Sequence, residues 1–336
     1  MPLFLKVLVD FNAISTESLK IFFGINASTF QQQYKHKLSN YNTWDQKDHA
    51  ENYLIFPNNM GAFLSIDETA LSNGELYTFL TNKAACGKKG TIVGIFKGVQ
   101  SSNIIKLIKD NIDKDLREQV DEITLDLSPT MNAIAKKCFK NAKRVADRFH
   151  AQRLPYDAVQ QERIEYRWEA IDQDNKAIKA ARENDKKYTP EILSNGDTIK
   201  QLLARSRHLL FKSPEKWTVS QKERAQILFE RYPRIKEAYD LAQELKVIYN
   251  HKCIKQVGWL KLAHWAEKVR QSDFKTFNTI ADTLFNYYDN ISNFFNNRSS
   301  NAAAESFNAK VKDFRRQFRG VVDIKFFLFR LTNIYA

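Results

Sequence analysis

The chain has 336 residues, enough for a sizeable core and two domains, and its 43% hydrophobic and 12% aromatic content marks it as globular rather than disordered. Lys and Arg number 52 against 39 Asp and Glu, a formal net charge of +13 that favours a phosphate-rich partner or an anionic surface. The amino-terminal apolar run from Pro2 to Val9 is short and holds Lys6, and no stretch reaches about 18 apolar residues, which argues against a secretory leader or membrane span and for a soluble, cytoplasmic protein. Cys86, Cys138 and Cys253 are odd in number and far apart, a pattern that fits a reducing compartment rather than a disulfide framework. His251 and Cys253 lack the second ligand pair that a zinc site needs.

Residues 1–60 read as a helical extension. Ser15 caps a helix through Leu19 and Phe23, and residues 24–28 form the turn of a candidate helix-turn-helix whose second helix covers 29–38; a packing extension is an equal reading. The turn cluster Pro57-Asn-Asn-Met-Gly61 marks a boundary. Residues 61–155 then carry strand patterns over 62–71, 75–84 and 91–99, joined by hairpin-type connections at Ser72-Asn-Gly74 and Gly87-Lys-Lys-Gly90. An amphipathic helix opens at Ser101, with Ile104, Ile108, Ile112 and Leu116 on one stripe. A strand over 122–127, a helix over 129–139 and a strand over 142–146 complete the run. Three meandering strands, helix, strand, helix, strand is the order of an α/β, RNase H-like mixed sheet with flanking helices. Residues 156–298 read as an all-helical insertion domain, with helices near 156–187, 198–211, 220–230, 234–249, 257–270 and 274–296. Residues 299–336 return to the core as its final helices.

Three acids stand in three distinct contexts. Asp67 lies in the apolar run Ala62-Phe-Leu-Ser-Ile-Asp67, Asp126 ends Ile123-Thr-Leu-Asp126, and Glu305 sits in Ser300-Asn-Ala-Ala-Ala-Glu305-Ser-Phe-Asn308. Carboxylates on buried strands need strong partners or become neutral. In the expected topology the first and fourth strands are neighbours, so Asp67 and Asp126 converge. Ala304, Phe307, Val311, Phe314 and Phe318 form the stripe that packs the Glu305 helix on the sheet, leaving Asn301, Glu305, Asn308 and Lys312 along a neighbouring edge. Such a cluster suits two Mg²⁺ or Mn²⁺ ions about 3.5–4 Å apart, the arrangement of phosphodiester chemistry.

The runs Ser65-Ile-Asp67-Glu-Thr, Leu125-Asp126-Leu-Ser-Pro, Val145-Ala-Asp147-Arg-Phe-His150 and Ser300-Asn301 through Lys310 resemble the DDE transposases of bacterial insertion sequences, in particular the ISL-three-like group and a branch found in Bacteroidetes. The resemblance covers about residues 60–336. It implies an RNase H-like catalytic core with a helical insertion, and cleavage and joining of DNA strands at the element's ends. It makes Asp67, Asp126 and Glu305 the catalytic, metal-binding triad. It also places Asp147, Arg148 and His150 near the acids, where Asp147 supports the metal site and Arg148 or His150 touches a phosphate. Related transposases begin with a Cys-rich zinc module that this sequence lacks, which implies either a separate end-recognition polypeptide or a truncated copy. Double-stranded DNA, both element ends and target, is the expected partner, and the joining of two ends implies a homodimer on DNA.

Basic residues extend the pattern. Lys310, Lys312, Arg315, Arg316 and Arg319 follow Glu305, and residues 298–336 hold eight Lys or Arg against three acids. Such a strip neutralises phosphates without reading sequence. Arg205 and Arg207 precede Trp217, a candidate groove with an aromatic for a displaced base; packing of Trp217 in a core is the competing reading. A nuclease or junction resolvase on the same fold, and an inert DNA-binding remnant, are the alternative functions.

Overall fold

The computed structural model describes residues 2–336 apart from Asn73 and Arg319. The chain divides into two compact units, Met1–Asp147 with Asn297–Ala336, and Arg148–Asn296. The first unit begins with helices α1 (Pro2–Phe11), α2 (Thr16–Phe23) and α3 (Ala27–Gln33). Strands β1 (Tyr53–Ile55), β2 (Phe63–Ser72), β3 (Glu75–Asn82) and β4 (Ile92–Lys97) follow, then α4 (Ser101–Asn111), α5 (Lys114–Glu118), β5 (Glu122–Leu125), α6 (Pro129–Cys138) and β6 (Lys143–Ala146). The second unit comprises α7 (Arg148–Glu183), α8 (Ile199–Arg205), α9 (Val219–Arg231), α10 (Pro233–Asn250), α11 (Lys255–Gln271), α12 (Lys275–Asn286) and most of α13 (Tyr288–Asn297). The chain then returns to the first unit with α14 (Ala302–Gln317) and α15 (Ile324–Tyr335).

The six strands form one sheet in the order β1-β4-β3-β2-β5-β6. β2, β3 and β4 are an antiparallel meander, whereas β5 joins β2, and β6 joins β5, in parallel. This is the RNase H-like arrangement, with one added edge strand. That strand, β1, pairs antiparallel with β4 through Leu54 and Ile95. Its three residues are too few to show an alternating pattern, so the amino-terminal segment, expected to be helical, contributes to the sheet.

Alternation on the central strands sorts two layers. Leu64, Ile66, Leu80, Ile123 and Leu125 face α4 and α6, packing with Ile104, Ile108, Met131 and Ile134. Leu71, Tyr77 and Phe79 face the opposite way and pack with Phe307, Val311 and Phe314 of α14 and with Phe327, Leu328 and Leu331 of α15. Each such side chain, buried in full, is worth roughly 1.5–3 kcal/mol. The helix expected to run through Leu116 instead breaks at Ile112, whose extended backbone ends α4 while its side chain stays in the core; Leu116 falls on the separate α5.

At the amino terminus, Ser15 Oγ accepts from the Ser18 amide, and Gly24 closes α2 at φ +63°, a conformation glycine adopts without strain. Asn26 caps α3. These helices share a core with α15 through Leu5, Val9, Leu19, Phe30, Tyr34, Phe326 and Phe329. Arg330, buried on α15, donates to the carbonyls of Val9 at 2.8 Å and of Asn12 and Ile14 at 3.3 Å, tying the α1–α2 connection down.

In the second unit, α7 is 36 residues long and carries Pro155 in its interior. α8 ends earlier than its apolar pattern suggests, as the Ser206 hydroxyl donates back to the Leu202 carbonyl at 2.6 Å. The helix expected over 274–296 is divided at Tyr287. No helix among the described residues is long and apolar enough to cross a membrane. The three cysteines are free thiols.

Phe307 joins α14 to the sheet, its ring centred 6.0 Å from Phe79 and 5.3 Å from Tyr335. Phe307→Ala is expected to lower unfolding free energy by about 3–5 kcal/mol. Chemical denaturation measures this; a loss under about 1 kcal/mol would mean that α14 is not anchored by this ring.

Candidate metal centre at the ends of the parallel strands

Strand register sets the geometry. β2 and β5 align Ser65 with Thr124, and β5 and β6 align Leu125 with Ala146. Two residues on from the first pair, Asp67 and Asp126 come level. One residue on from the second, Asp126 and Asp147 come level. In-register residues of parallel strands point to the same face about 4.8 Å apart. Three carboxylates therefore stand in a row across three adjacent strands, Asp67 midway along β2 and Asp126 and Asp147 just past the ends of β5 and β6, on the α14 side of the sheet. A carboxylate oxygen of Asp126 and one of Asp147 lie within 4.8 Å of each other. The Asp147 amide donates to the Leu125 carbonyl at 2.9 Å, which continues the ladder to the end of the row.

Helix α14 closes over this row. Asn308 Nδ2 donates to Asp67 Oδ2 at 2.6 Å, while Asp67 Oδ1 accepts the Glu68 amide at 2.8 Å. At the start of the helix, the Asn301 amide donates to Asp147 Oδ1 at 3.2 Å, and Asn301 Oδ1 accepts from Thr124 Oγ1 at 3.1 Å. Because Thr124 gives its proton to Asn301, Ser65 Oγ, 2.7 Å away, donates to Thr124. Asn301 is 1% exposed and Asp147 0%, so these bonds form without competing water. Glu305 lies exposed on the first turn of α14, its amide bonded to the Asn301 carbonyl at 2.9 Å.

The accumulated charge has a measurable consequence. The Asp126 carboxyl is pushed up to about 8, first by burial and then by the negative charges of Asp67, Asp147, Glu68 and Glu305. Burial also raises Glu68. Asp67, Asp126, Asp147 and Glu305 thus share one electrostatic neighbourhood. The ligand atoms that the first unit offers here are carboxylate oxygens, the donor type of Mg²⁺ and Mn²⁺. Asp147 Oδ2 is a buried oxygen with no partner among the described residues. A hard divalent cation fits this set, because it offsets the repulsion that otherwise keeps Asp126 protonated.

Other residues singled out in the sequence have varied environments. Lys310 Nζ donates to the Gly87 carbonyl at 2.7 Å and Arg315 to the Ala70 carbonyl at 2.9 Å, so both brace α14 on the sheet. Lys312 and Arg316 are exposed, and Arg316 pairs with Asp313 at 3.1 Å. Arg319 lies outside the described residues. Within the second unit, Trp217 stacks on Tyr239 with ring centres 5.6 Å apart and donates Nε1–H to the Leu209 carbonyl at 2.8 Å. Arg205 is paired with the buried Asp197, and Arg207 is exposed. Trp217 is thus packed within the unit, whereas Arg205, though paired with Asp197, and Arg207 are both exposed to solvent. Arg148 and His150 stand on the first turn of α7, in the second unit. Sequence reasoning passed over Ser65 and Thr124. Each lies two residues before an acid on the same strand face, and that spacing is the signal for them.

The folded chain holds the Asp126 proton to a higher pH than the unfolded chain, where a carboxyl titrates near 4. The metal-free fold is therefore favoured below about pH 4 and loses stability as pH rises toward 8. Asp126→Asn should raise the metal-free melting temperature at pH 8 and change it little at pH 4, as followed by calorimetry. An unchanged or lower melting temperature at pH 8 contradicts this electrostatic picture.

No curated protein matches the chain. A family model described as a transposase, of the DDE and ISL3 type, matches residues 64–331, a span that holds all four acids and both faces of the sheet. With the mixed sheet and the acidic row at its centre, the match identifies the chain as a member of the ISL3 family of DDE transposases.

Proposed function

We propose that this transposase cleaves DNA strands at the ends of an insertion sequence and transfers them to target DNA, with Asp67, Asp126 and Glu305 as its catalytic acids. The observation that carries the reading is the level placement of Asp67 and Asp126 on neighbouring parallel strands, beneath the helix α14 that bonds Asp67 through Asn308 and carries Glu305 on its first turn. When bound, Mg²⁺ or Mn²⁺ supplies an activated attacking oxygen and charge stabilisation for the leaving oxygen at phosphorus.

The chain's own residues prepare that chemistry. Asp67 is held by Asn308 with one oxygen and by the Glu68 amide with the other, which fixes its plane. Asp126, raised by burial and by its acidic neighbours, would release its proton to solvent on ligating a cation. Glu305 stands exposed, able to approach a cation that already carries DNA. Lys312 lies two turns further along α14 and, with Arg316, meets the backbone phosphates leading to the scissile bond. The same reading takes double-stranded DNA as substrate and a homodimer as the joining unit, with end recognition by a separate polypeptide as one arrangement.

Asp67→Ala, Asp126→Ala and Glu305→Ala should each leave binding of element-end DNA largely intact and abolish Mn²⁺-dependent nicking and joining on labelled DNA. Retained cleavage by any one of them removes that residue from the assignment, and hydrolysis without joining in the unaltered protein favours a nuclease. Lys312→Ala with Arg316→Ala should flatten the dependence of DNA affinity on salt, by about 0.9 in log–log slope for each phosphate that is no longer neutralised. An unchanged slope places the DNA elsewhere.

A further inference from the structure

Asp147 is a buried acid that the three-acid scheme does not use. It is fully buried, and its carboxylate does two different things with its two oxygens. Oδ1 accepts the Asn301 amide at the start of α14. Oδ2 has no hydrogen-bond partner among the described residues. A buried carboxyl oxygen left without a hydrogen bond is costly, and a cation shared with the neighbouring acid is a partner that would satisfy it. Within the first unit no Lys or Arg forms an ion pair with Asp147 among the described residues, and the Asp126 carboxylate comes within 4.8 Å of it. The Asn301 amide nitrogen Nδ2, 1% exposed, is likewise without a partner among the described residues. Two buried polar groups are thus left open beside one acidic row.

We propose that Asp147 is a fourth carboxylate of the cation site and couples cation binding to the seating of α14, one oxygen ligating the cation beside Asp126 while the other holds the first amide of the helix. The inference rests on the metal-site reading above and goes beyond its three acids. The coupling is mechanical. α14 carries Glu305 one turn after Asn301, so the bond that fixes Asn301 also fixes where Glu305 starts. The chain Ser65–Thr124–Asn301 secures the same residue from the strand side. Ligation through Oδ2 would fix the plane of the Asp147 carboxylate and so hold Oδ1 in line with the Asn301 amide. A helix already seated presents Asp147 to the cation at no further ordering cost.

The test uses the full chain and Mn²⁺ alone, with binding followed by calorimetry and backbone exchange followed over residues 299–309. In the unaltered protein, Mn²⁺ should slow exchange in this segment. Asp147→Asn keeps an acceptor for the Asn301 amide but weakens the donor to the cation. Its metal-free exchange should match that of the unaltered chain, while Mn²⁺ affinity falls at least tenfold. Asp147→Ala should lose both the affinity and the metal-free protection. Mn²⁺ affinity of Asp147→Asn within twofold of the unaltered chain overturns the proposal, as does Mn²⁺ binding that leaves exchange over 299–309 unchanged in the unaltered protein. Absence of any Mn²⁺ binding to the unaltered chain overturns the metal centre as a whole, and so separates the two failures.

Discussion

Repulsion among carboxylates crowded side by side across the three parallel-paired strands of a mixed sheet is the constraint around which the first unit is organised. Asp67, Asp126 and Asp147 are level because β2, β5 and β6 run in parallel and in register. A shift of one residue in either pairing would turn an acid into the apolar layer of Ile66 and Leu125. The apolar core on the α4–α6 side therefore does more than stabilise the fold: it locks the register that aligns the acids on the other side. The high proton affinity of Asp126 reflects first its burial and then the negative charges that this alignment sets beside it.

α14 answers the same constraint from above. Its inward stripe of Phe307, Val311 and Phe314 fastens it to the sheet, and its polar edge reaches the acids through Asn301 and Asn308. Lys310 and Arg315 brace it through backbone carbonyls of the loop after β3 and of β2. Two of the residues that looked like DNA contacts are thus structural cations, and the exposed charge along this helix is carried by Lys312 and Arg316. Basic residues on one helix divide between bracing and exposure according to which face they occupy.

Much of this was legible in the sequence because the strands after residue 61 are apolar and bounded by turn residues, and the acids interrupt those runs at marked places. The convergence of Asp67 and Asp126 followed from strand order alone. What escaped was either too short or too distant in sequence. β1 has three residues and finds its place only by pairing with β4. The bond from Asp147 to Asn301 joins residues on either side of the whole helical unit, and nothing local to either announces it. The break at Ile112 was hidden because its side chain keeps the helical stripe while its backbone leaves the helix. Trp217 showed the opposite problem, as a lone aromatic among basic residues reads equally as a base platform and as a packed ring.

The most direct test of the central claim is anomalous scattering from crystals of the protein soaked in Mn²⁺. The account predicts a peak between the carboxylates of Asp67 and Asp126, with Asp147 in reach. Strong Mn²⁺ peaks elsewhere on the molecule, with none at this row, would contradict it.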